Sequence, residues 1–351
     1  MNQPSLKVIG RRCSAALLCM ALASCAAVGP EYEQPEAPVP DTWGAAQNAG
    51  LLATDYELVE WWEVFDDPTL NRLVEIAHEQ NYNLELAGLA VLEARAQLGI
   101  AVGAQYPQQQ FISGDVTRIG PSENAGQGDT SFSQYDLSAS LAWEMDFWGK
   151  FRRGVESADA ALQASVANYD DAMVLITAQV VSTYVTIRTL EEQLRIAHEN
   201  LKLQRRSFDI ATVLYKNGQD SELDVQQARS LLLNTQAAVP SLEAQVNLSR
   251  NAMDTLLGQA NGYTETLISE GPIPDVPKQI AVGIPADLLR RRPDLRQAEL
   301  VAVAQNAQVG VATANLYPSI ALTGSLGVFS VSRDVGGGGG SNLFESDSIG
   351  Y

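Results

Sequence analysis

Hydrophobic positions recur with two distinct periods in this chain, and each period predicts an element. After Gly149 there is no proline and, apart from Gly154, no glycine until beyond Lys216. Within this stretch Val166, Met173, Val180, Ile187, Leu194, Leu201, Phe208 and Tyr215 fall seven residues apart. A companion register runs through Leu162, Tyr169, Ile176, Thr183, Leu190, Ala197, Gln204 and Ala211. A strict period of seven is 3.5 residues per turn along the seam, which favours left-handed coiled-coil packing. At 1.5 Å per residue the helix would be roughly 100 Å long, far beyond an ordinary globular helix. Asn217-Gly218 breaks the run, and Ser221 with Asp224 three positions later predicts a capped new helix. Its own sevens are Val225, Leu232, Val239, Val246 and Met253, stopping near Gly258. Pro240 lies inside it and is expected to kink it or loosen one turn. The pair is expected as an antiparallel hairpin with its tip at 217–221.

Period two marks a strand from Tyr135 to Phe147. Tyr135, Leu137, Ala139, Leu141, Trp143, Met145 and Phe147 alternate with Asp136, Ser138, Ser140, Ala142, Glu144 and Asp146. One apolar and one polar face over this length fits a half-buried sheet, or a membrane barrel with lipid outside and water inside. Trp143, Phe147 and Trp148 suit an interfacial aromatic girdle. A companion strand over 108–119 alternates poorly. Upstream, helices are expected at about 68–80 and 83–105, the second ended by Tyr106-Pro107 and patterned by Leu84, Ala87, Val91, Ala94, Leu98 and Ala101. Residues 26–60, with Pro30, Pro35, Pro38 and Pro40, read as an extended tether.

The N-terminus is a processing signal. Lys7, Arg11 and Arg12 precede an apolar run over 13–23 that is too short for a stable bilayer anchor. Leu22-Ala23-Ser24-Cys25 resembles a bacterial lipobox, which makes Cys25 the lipid acceptor and the mature N-terminus; its lipid is the one covalent group expected. A diacyl chain plus an N-acyl chain anchors far better than one acyl chain. Ala26 lacks the charge of an inner-membrane retention signal, which favours the outer membrane.

Composition then narrows the chemistry. The 351 residues carry 23 Lys+Arg against 42 Asp+Glu, a net charge of -19, with 2 His and 3 Cys. Loss of residues 1–24 would remove three positive charges and leave -22. Nucleic acid is excluded as a partner, because phosphate binding needs clustered cations. His78 and His198 have no second ligand at metal spacing, so no metal site or cofactor is expected, and both read as structural. No nucleophile motif or phosphate-cradling Gly-Lys loop occurs, so no enzyme is expected.

An internal repeat is the most informative feature. A shift of 211 pairs Leu84 with Leu295, Ala87 with Ala298, Leu89 with Leu300 and Ala96-Gln97 with Ala307-Gln308. It also pairs Gly99 with Gly310, Ala101 with Ala312 and Tyr106-Pro107 with Tyr317-Pro318 without a gap. A complete second copy would reach about residue 469, about 118 beyond Tyr351. The second copy is therefore expected to be incomplete, with Gly336–Gly340 as its strand-to-strand loop.

Four ordered motifs carry a family resemblance. Val28-Gly-Pro-Glu-Tyr32, the junction Trp143-Glu-Met-Asp-Phe-Trp-Gly-Lys-Phe-Arg-Arg153, the tip Tyr215-Lys-Asn-Gly-Gln-Asp-Ser-Glu-Leu-Asp-Val225 and Leu288-Leu-Arg-Arg-Arg-Pro-Asp294 are similar to those of TolC-like outer-membrane efflux proteins, NodT-type lipoprotein branch. The resemblance implies a mainly α fold with transmembrane β-strands, in which a long antiparallel coiled-coil-like hairpin continues a β-barrel. It also implies a homotrimer whose twelve-stranded barrel and helical tunnel form a passive exit duct in the outer membrane. The duct would serve a tripartite resistance-nodulation-division efflux system, with a periplasmic adaptor and an inner-membrane transporter as partners. Lacking most of the fourth strand and the second hairpin, the chain alone is not expected to close a barrel, since strand edges in lipid leave backbone groups unsatisfied.

The expected organisation is 1–24 signal peptide, 25–67 lipidated tether, 68–107 first-repeat short helices, 108–148 first strand pair and 149–258 long hairpin. Residues 259–293 follow as an equatorial linker, 294–318 as the second-repeat helix, and 319–351 as the third strand, loop and truncated fourth strand. Gly218, Ser221, Leu223 and Asp224 resemble the segment an adaptor recognises, although a turn and a helix cap account for the same residues. Asp136, Ser138, Ser140 and Glu144 are candidates to line an aqueous lumen, against a solvated sheet face. Arg290 to Arg292 read as a solvated helix end. A periplasmic adaptor-type lipoprotein, which shares the lipidated Cys and a hairpin, stays open as the alternative reading.

Overall fold

A computed structural model describes residues 27–35, 51–52, 60–120, 132–269, 271–275, 280–281, 289, 291–333 and 349–350. In chain order the elements are β1 (Leu51–Leu52), a 3-10 turn (Trp61–Phe65), α1 (Pro68–Gln80), α2 (Tyr82–Gly103), β2 (Gln109–Ile119) and β3 (Phe132–Glu144). These are followed by α3 (Lys150–Lys216), α4 (Glu222–Leu256), α5 (Tyr263–Leu267), β4 (Ile280–Ala281), α6 (Pro293–Ala314), β5 (Ala321–Arg333) and β6 (Ile349–Gly350). They divide into two compact units, one holding residues 27–35, 93–163 and 299–351, the other 51–92 and 164–298. The protein is mainly helical, with its antiparallel sheet in the first unit.

In the first unit a four-stranded antiparallel sheet has the order β2-β3-β5-β6. Its register pairs Ile112 with Ala139 and Ser113 with Ser138, then Ala139 with Leu326 and Ser138 with Gly327. The strand expected over 135–147 is displaced: it begins at Phe132 and ends at Glu144. Asp146 leaves the sheet because its carboxylate is used elsewhere, accepting from the N–H groups of Phe151 (3.1 Å) and Arg152 (3.0 Å) in the first turn of α3. Those donors have no intrahelical partner, so a side-chain oxygen there offsets a real cost. The weakly patterned strand over 108–119 is an eleven-residue strand, starting at Gln109.

The second unit is built around α1. Asp67 caps it, accepting from Thr69 N–H (2.8 Å) and Leu70 N–H (3.3 Å), and Pro68 occupies the first turn, where its missing N–H costs nothing. Leu70, Leu73, Val74, Ile76 and Ala77 are buried against Ile176, Val180, Tyr184 and Ile187 of α3, Met253 of α4, and Leu257 and Ile268. Burial of each such aliphatic chain is worth about 1.5–3 kcal/mol.

The period of seven is visible in what α3 and α4 bury. Val180 and Ile187 are fully enclosed, Met173, Leu194, Leu201 and Phe208 are half-buried, and the companion register is buried or half-buried from Leu162 to Ala211. Val166 and Tyr215, at the two ends, are exposed. On α4, Val239, Val246 and Met253 are buried, with Val225 and Leu232 half-buried, and the helix runs on through Pro240. At its end the buried Asp254 carboxylate accepts from Gly262 N–H (2.8 Å), Thr264 N–H (2.7 Å) and the Thr264 hydroxyl, which seats α5. Neither this turn nor the short parallel pair of β1 with β4 is signalled by the hydrophobic pattern.

Candidate functional site

Three places carry the predicted residues: the hairpin tip, the two faces of the sheet, and the strand-to-helix junction.

At the tip, α3 ends in a Schellman motif. Gly218 N–H donates to Tyr215 O (2.9 Å) and Gln219 N–H to Leu214 O (3.0 Å), with Gly218 at φ 68°, a conformation that favours glycine. Ser221 is extended and forms a capping box with Asp224: Asp224 N–H donates to Ser221 Oγ (3.3 Å) and Ser221 N–H to Asp224 Oδ2 (3.3 Å). The Ser221 hydroxyl also donates to that carboxylate. These bonds, aided by Asp220, hold the Asp224 carboxyl below the usual carboxylate range. Gly218, Ser221 and Asp224 are thus accounted for by turn chemistry. Leu223 is not, because it makes no cap and stands 65% exposed.

The three long strands give the sheet a mainly apolar and a mainly polar face, with Phe111 and Phe329 on the polar side and Gln110 and Arg118 on the apolar side. One face gathers Ile112, Val116, Leu137, Leu141, Leu322, Leu326 and Val328, and the pairing places them side by side. They are not a core: Ile112 is 84% exposed and Leu326 61%. The other face carries Asp136, Ser138, Ser140 and Glu144 of the prediction, joined by Ser113, Asp115, Thr323 and Ser325 of the flanking strands. Ser113 Oγ and Ser138 Oγ lie 2.9 Å apart. Asp115 stands directly opposite Asp136, an arrangement that destabilises a sheet unless water screens it. Asp115 escapes sequence reasoning because a single weakly alternating strand does not reveal its register.

The junction brings together residues from far apart in the chain. Trp148 stacks on Tyr317, ring centroids 4.6 Å apart, and its indole N–H donates to Pro318 O (3.0 Å). Arg153, one turn into α3, has a side chain only 2% exposed. Its guanidinium donates to both oxygens of Glu31 (2.6 and 3.3 Å), to Glu156 (2.7 Å) and to Val28 O (3.3 Å). The bond from Arg153 lowers the Glu31 carboxyl pKa from its ordinary value. Residues 28–31, part of the segment expected as a tether, bend at Gly29 and are held by these bonds. A polar cavity of about 180 Å³ opens beside the junction, lined by Glu144, Asp146, Lys150, Asn315 and others. Lys150 is already paired with Glu144 at 3.4 Å, so its charge is not left open to the cavity.

In the second unit Tyr184 donates to Asp67 (2.5 Å) and accepts from Arg188 Nε and Nη2 (3.1 and 3.0 Å), while Arg188 Nη1 donates to Ser269 O. Burial and Asp67 push the Tyr184 hydroxyl up to about 12. His78 is likewise absorbed in packing: Nε2 lies 2.7 Å from Thr177 Oγ1, and Trp62 meets the ring edge-on. Burial lowers its pKa. Among the described residues no cluster of three His, Cys, Asp or Glu side chains could hold a metal. Cys25, Arg290 and Gly336–Gly340 lie outside the described residues.

The arrangement resembles known proteins throughout. The family model described as outer membrane efflux protein matches residues 73–259 and 284–349. Nodulation protein T of Rhizobium leguminosarum bv. trifolii is 35% identical over 301 residues, covering 85% of this chain and 63% of that protein. A probable outer membrane lipoprotein of Salmonella typhimurium, SilC, is 32% identical, covering 87% of this chain and 65% of that protein. The chain thus spans less than two thirds of the length of these curated relatives. Among solved structures, the outer-membrane channel OprN superposes with a TM-score of 0.81 at 34% identity, covering 92% of this chain and 71% of that one. The chain belongs to the outer membrane efflux protein family, and its place is the outer membrane.

Proposed function

We propose that the protein is the outer-membrane component of a tripartite efflux system of the resistance-nodulation-division type, a passive and non-enzymatic exit duct for small molecules. The observation that carries this reading is the sheet: an exposed apolar face backed by a polar face with two opposed aspartates is a wall between lipid and water. Three long strands cannot close in a membrane by themselves, because open edges leave peptide groups unpaired in hydrocarbon. A homotrimer that pools strands into one barrel removes those edges, and a trimer also gives the exposed apolar side of α2, with Leu86, Leu89, Leu92 and Ile100, something to pack against.

The long hairpin is read as a coiled-coil-like wall of the periplasmic tunnel, supported by the buried sevens of α3 and α4. The duplication is supported by α2 and α6, two 22-residue helices that begin 211 positions apart and each lead into a long strand. Cys25 carries the lipid, and Leu223 with Gly218, Ser221 and Asp224 forms the surface an adaptor grips. Asp136, Ser138, Ser140 and Glu144 face the lumen.

A photo-crosslinker at Leu223 in living cells tests the reading. Capture of a periplasmic adaptor, with the protein in the outer-membrane fraction, is the expected result. A wholly periplasmic protein that captures no adaptor would favour the adaptor-type alternative and overturn the duct.

A further inference from the structure

We propose that Ala27–Glu31 is a strap that locks the strand-to-helix junction of the first repeat to helix α6 of the second, with the Glu31–Arg153 pair as its catch. The strap is held along its length. Val28 N–H donates to Trp148 O (3.0 Å) and Val28 O accepts from Arg153 Nε (3.3 Å), which ties it to the junction. Pro30 O accepts from Asn306 Nδ2 (3.0 Å), which ties it to α6. Glu31 closes the strap with a two-pronged carboxylate–guanidinium pair, the geometry that fits Arg better than Lys.

The path of the strap is cut by glycines. A Cβ on Gly29, at φ 99°, would stand 2.5 Å from the Gly310 Cα, and one on Gly310 would stand 2.8 Å from the Arg153 Cγ. One on Gly149 would collide with Ala27. Gly99 occupies the equivalent place on α2 by the offset of 211, and there a Cβ would meet nothing within 4 Å. Among the described residues, Gly310 of α6 is approached this closely and Gly99 of α2 is not, and at Gly310 strap, helix and arginine share one space.

The strap and Arg153 also depend on each other. The arginine side chain is 2% exposed, whereas that of Glu31 is 79% exposed. Without the strap the enclosed guanidinium would keep Glu156 and lose Val28 O and both Glu31 oxygens, and an undercompensated enclosed charge is strongly unfavourable. A loose tail resting on the surface would not be the main source of partners for an enclosed cation.

The test uses the full chain with Pro30→Cys and Asn306→Cys, and reads the disulfide between them as a linked peptide by mass spectrometry. The pair is expected to form in most molecules, to fall about five-fold when Glu31→Gln is added, and to fall further with Arg153→Met. Glu31→Gln keeps a side-chain oxygen at the surface and leaves Arg153 its Glu156 partner, so the fold should be retained with the hairpin's thermal transition measured as the control, and the outcome rests on Glu31→Gln even if Arg153→Met fails to fold. An undiminished disulfide in the Glu31→Gln background, or no disulfide in the parent pair, would overturn the strap.

Discussion

At the scale of single residues, the side chains that shape the molecule are mostly polar ones placed where the chain needs a donor or an acceptor. Tyr184 is one: it bridges Asp67 and Arg188 with no exposure to solvent. Tyr184→Phe should destabilise the second unit by about 1–3 kcal/mol, since the buried Arg188 loses two of its acceptor contacts and Asp67 loses a donor, although both keep other partners. Its hydroxyl is held protonated up to about 12 in the folded state, against about 10 in an open chain. The stability it contributes is therefore complete below about pH 10 and lost as pH rises toward 12. Denaturation curves between about pH 9 and 12 should show this fall in the parent and not in Tyr184→Phe. At the tip, capping and docking separate cleanly. Ser221→Ala should cost about 1 kcal/mol in hairpin stability, whereas Leu223→Ser should leave stability unchanged and weaken capture of an adaptor. If Leu223→Ser binds an adaptor as the parent does, the tip residue is not a contact.

At the scale of elements, the hairpin and its tip are the most legible parts of the chain. A seven-residue period over so many turns leaves a strong signal, and Gly218 with Ser221 and Asp224 punctuates it with local chemistry alone. Ile187→Ala, at a fully buried seventh position, should cost about 2–5 kcal/mol, while Ile196→Ala on the exposed side should cost far less. The sheet is only half legible. One strand declares its two faces, but Asp146 reads as part of it because alternation does not reveal that a helix cap claims that carboxylate. Asp115, Arg153 and the strap escape for a different reason: their partners lie in distant segments, and pairing across such separations is set by tertiary packing. Arg153 stands inside a recognisable motif, yet its sequence neighbourhood says nothing about Glu31. The faces themselves predict an asymmetry. Ile112→Arg should cost about 2–4 kcal/mol in a membrane and lower the folded yield, whereas Ser140→Arg should be tolerated. Equal yields for the two variants in outer-membrane preparations would show that lipid touches neither face.

At the scale of the whole molecule, the acidic composition is carried by exposed helix positions and a mainly polar sheet face. On the proposed duplication an offset of 211 relates α2 to α6 and the strands that follow them, and α3 and α4 account for much of the remaining length. The exposed apolar row from Ile112 to Leu326 and the exposed leucines of α2 both need covering, and the proposed duct covers the first with lipid and the second with protein. Alternate labelling of single cysteines along β3 and β5 in native outer membranes tests this most directly. The account predicts that a water-soluble maleimide modifies cysteines at Asp136, Ser140 and Ser325, and that a lipid-phase photoprobe marks those at Leu137, Leu141 and Leu326. Water-soluble modification of both sets alike would contradict a sheet that separates lipid from a water-filled duct.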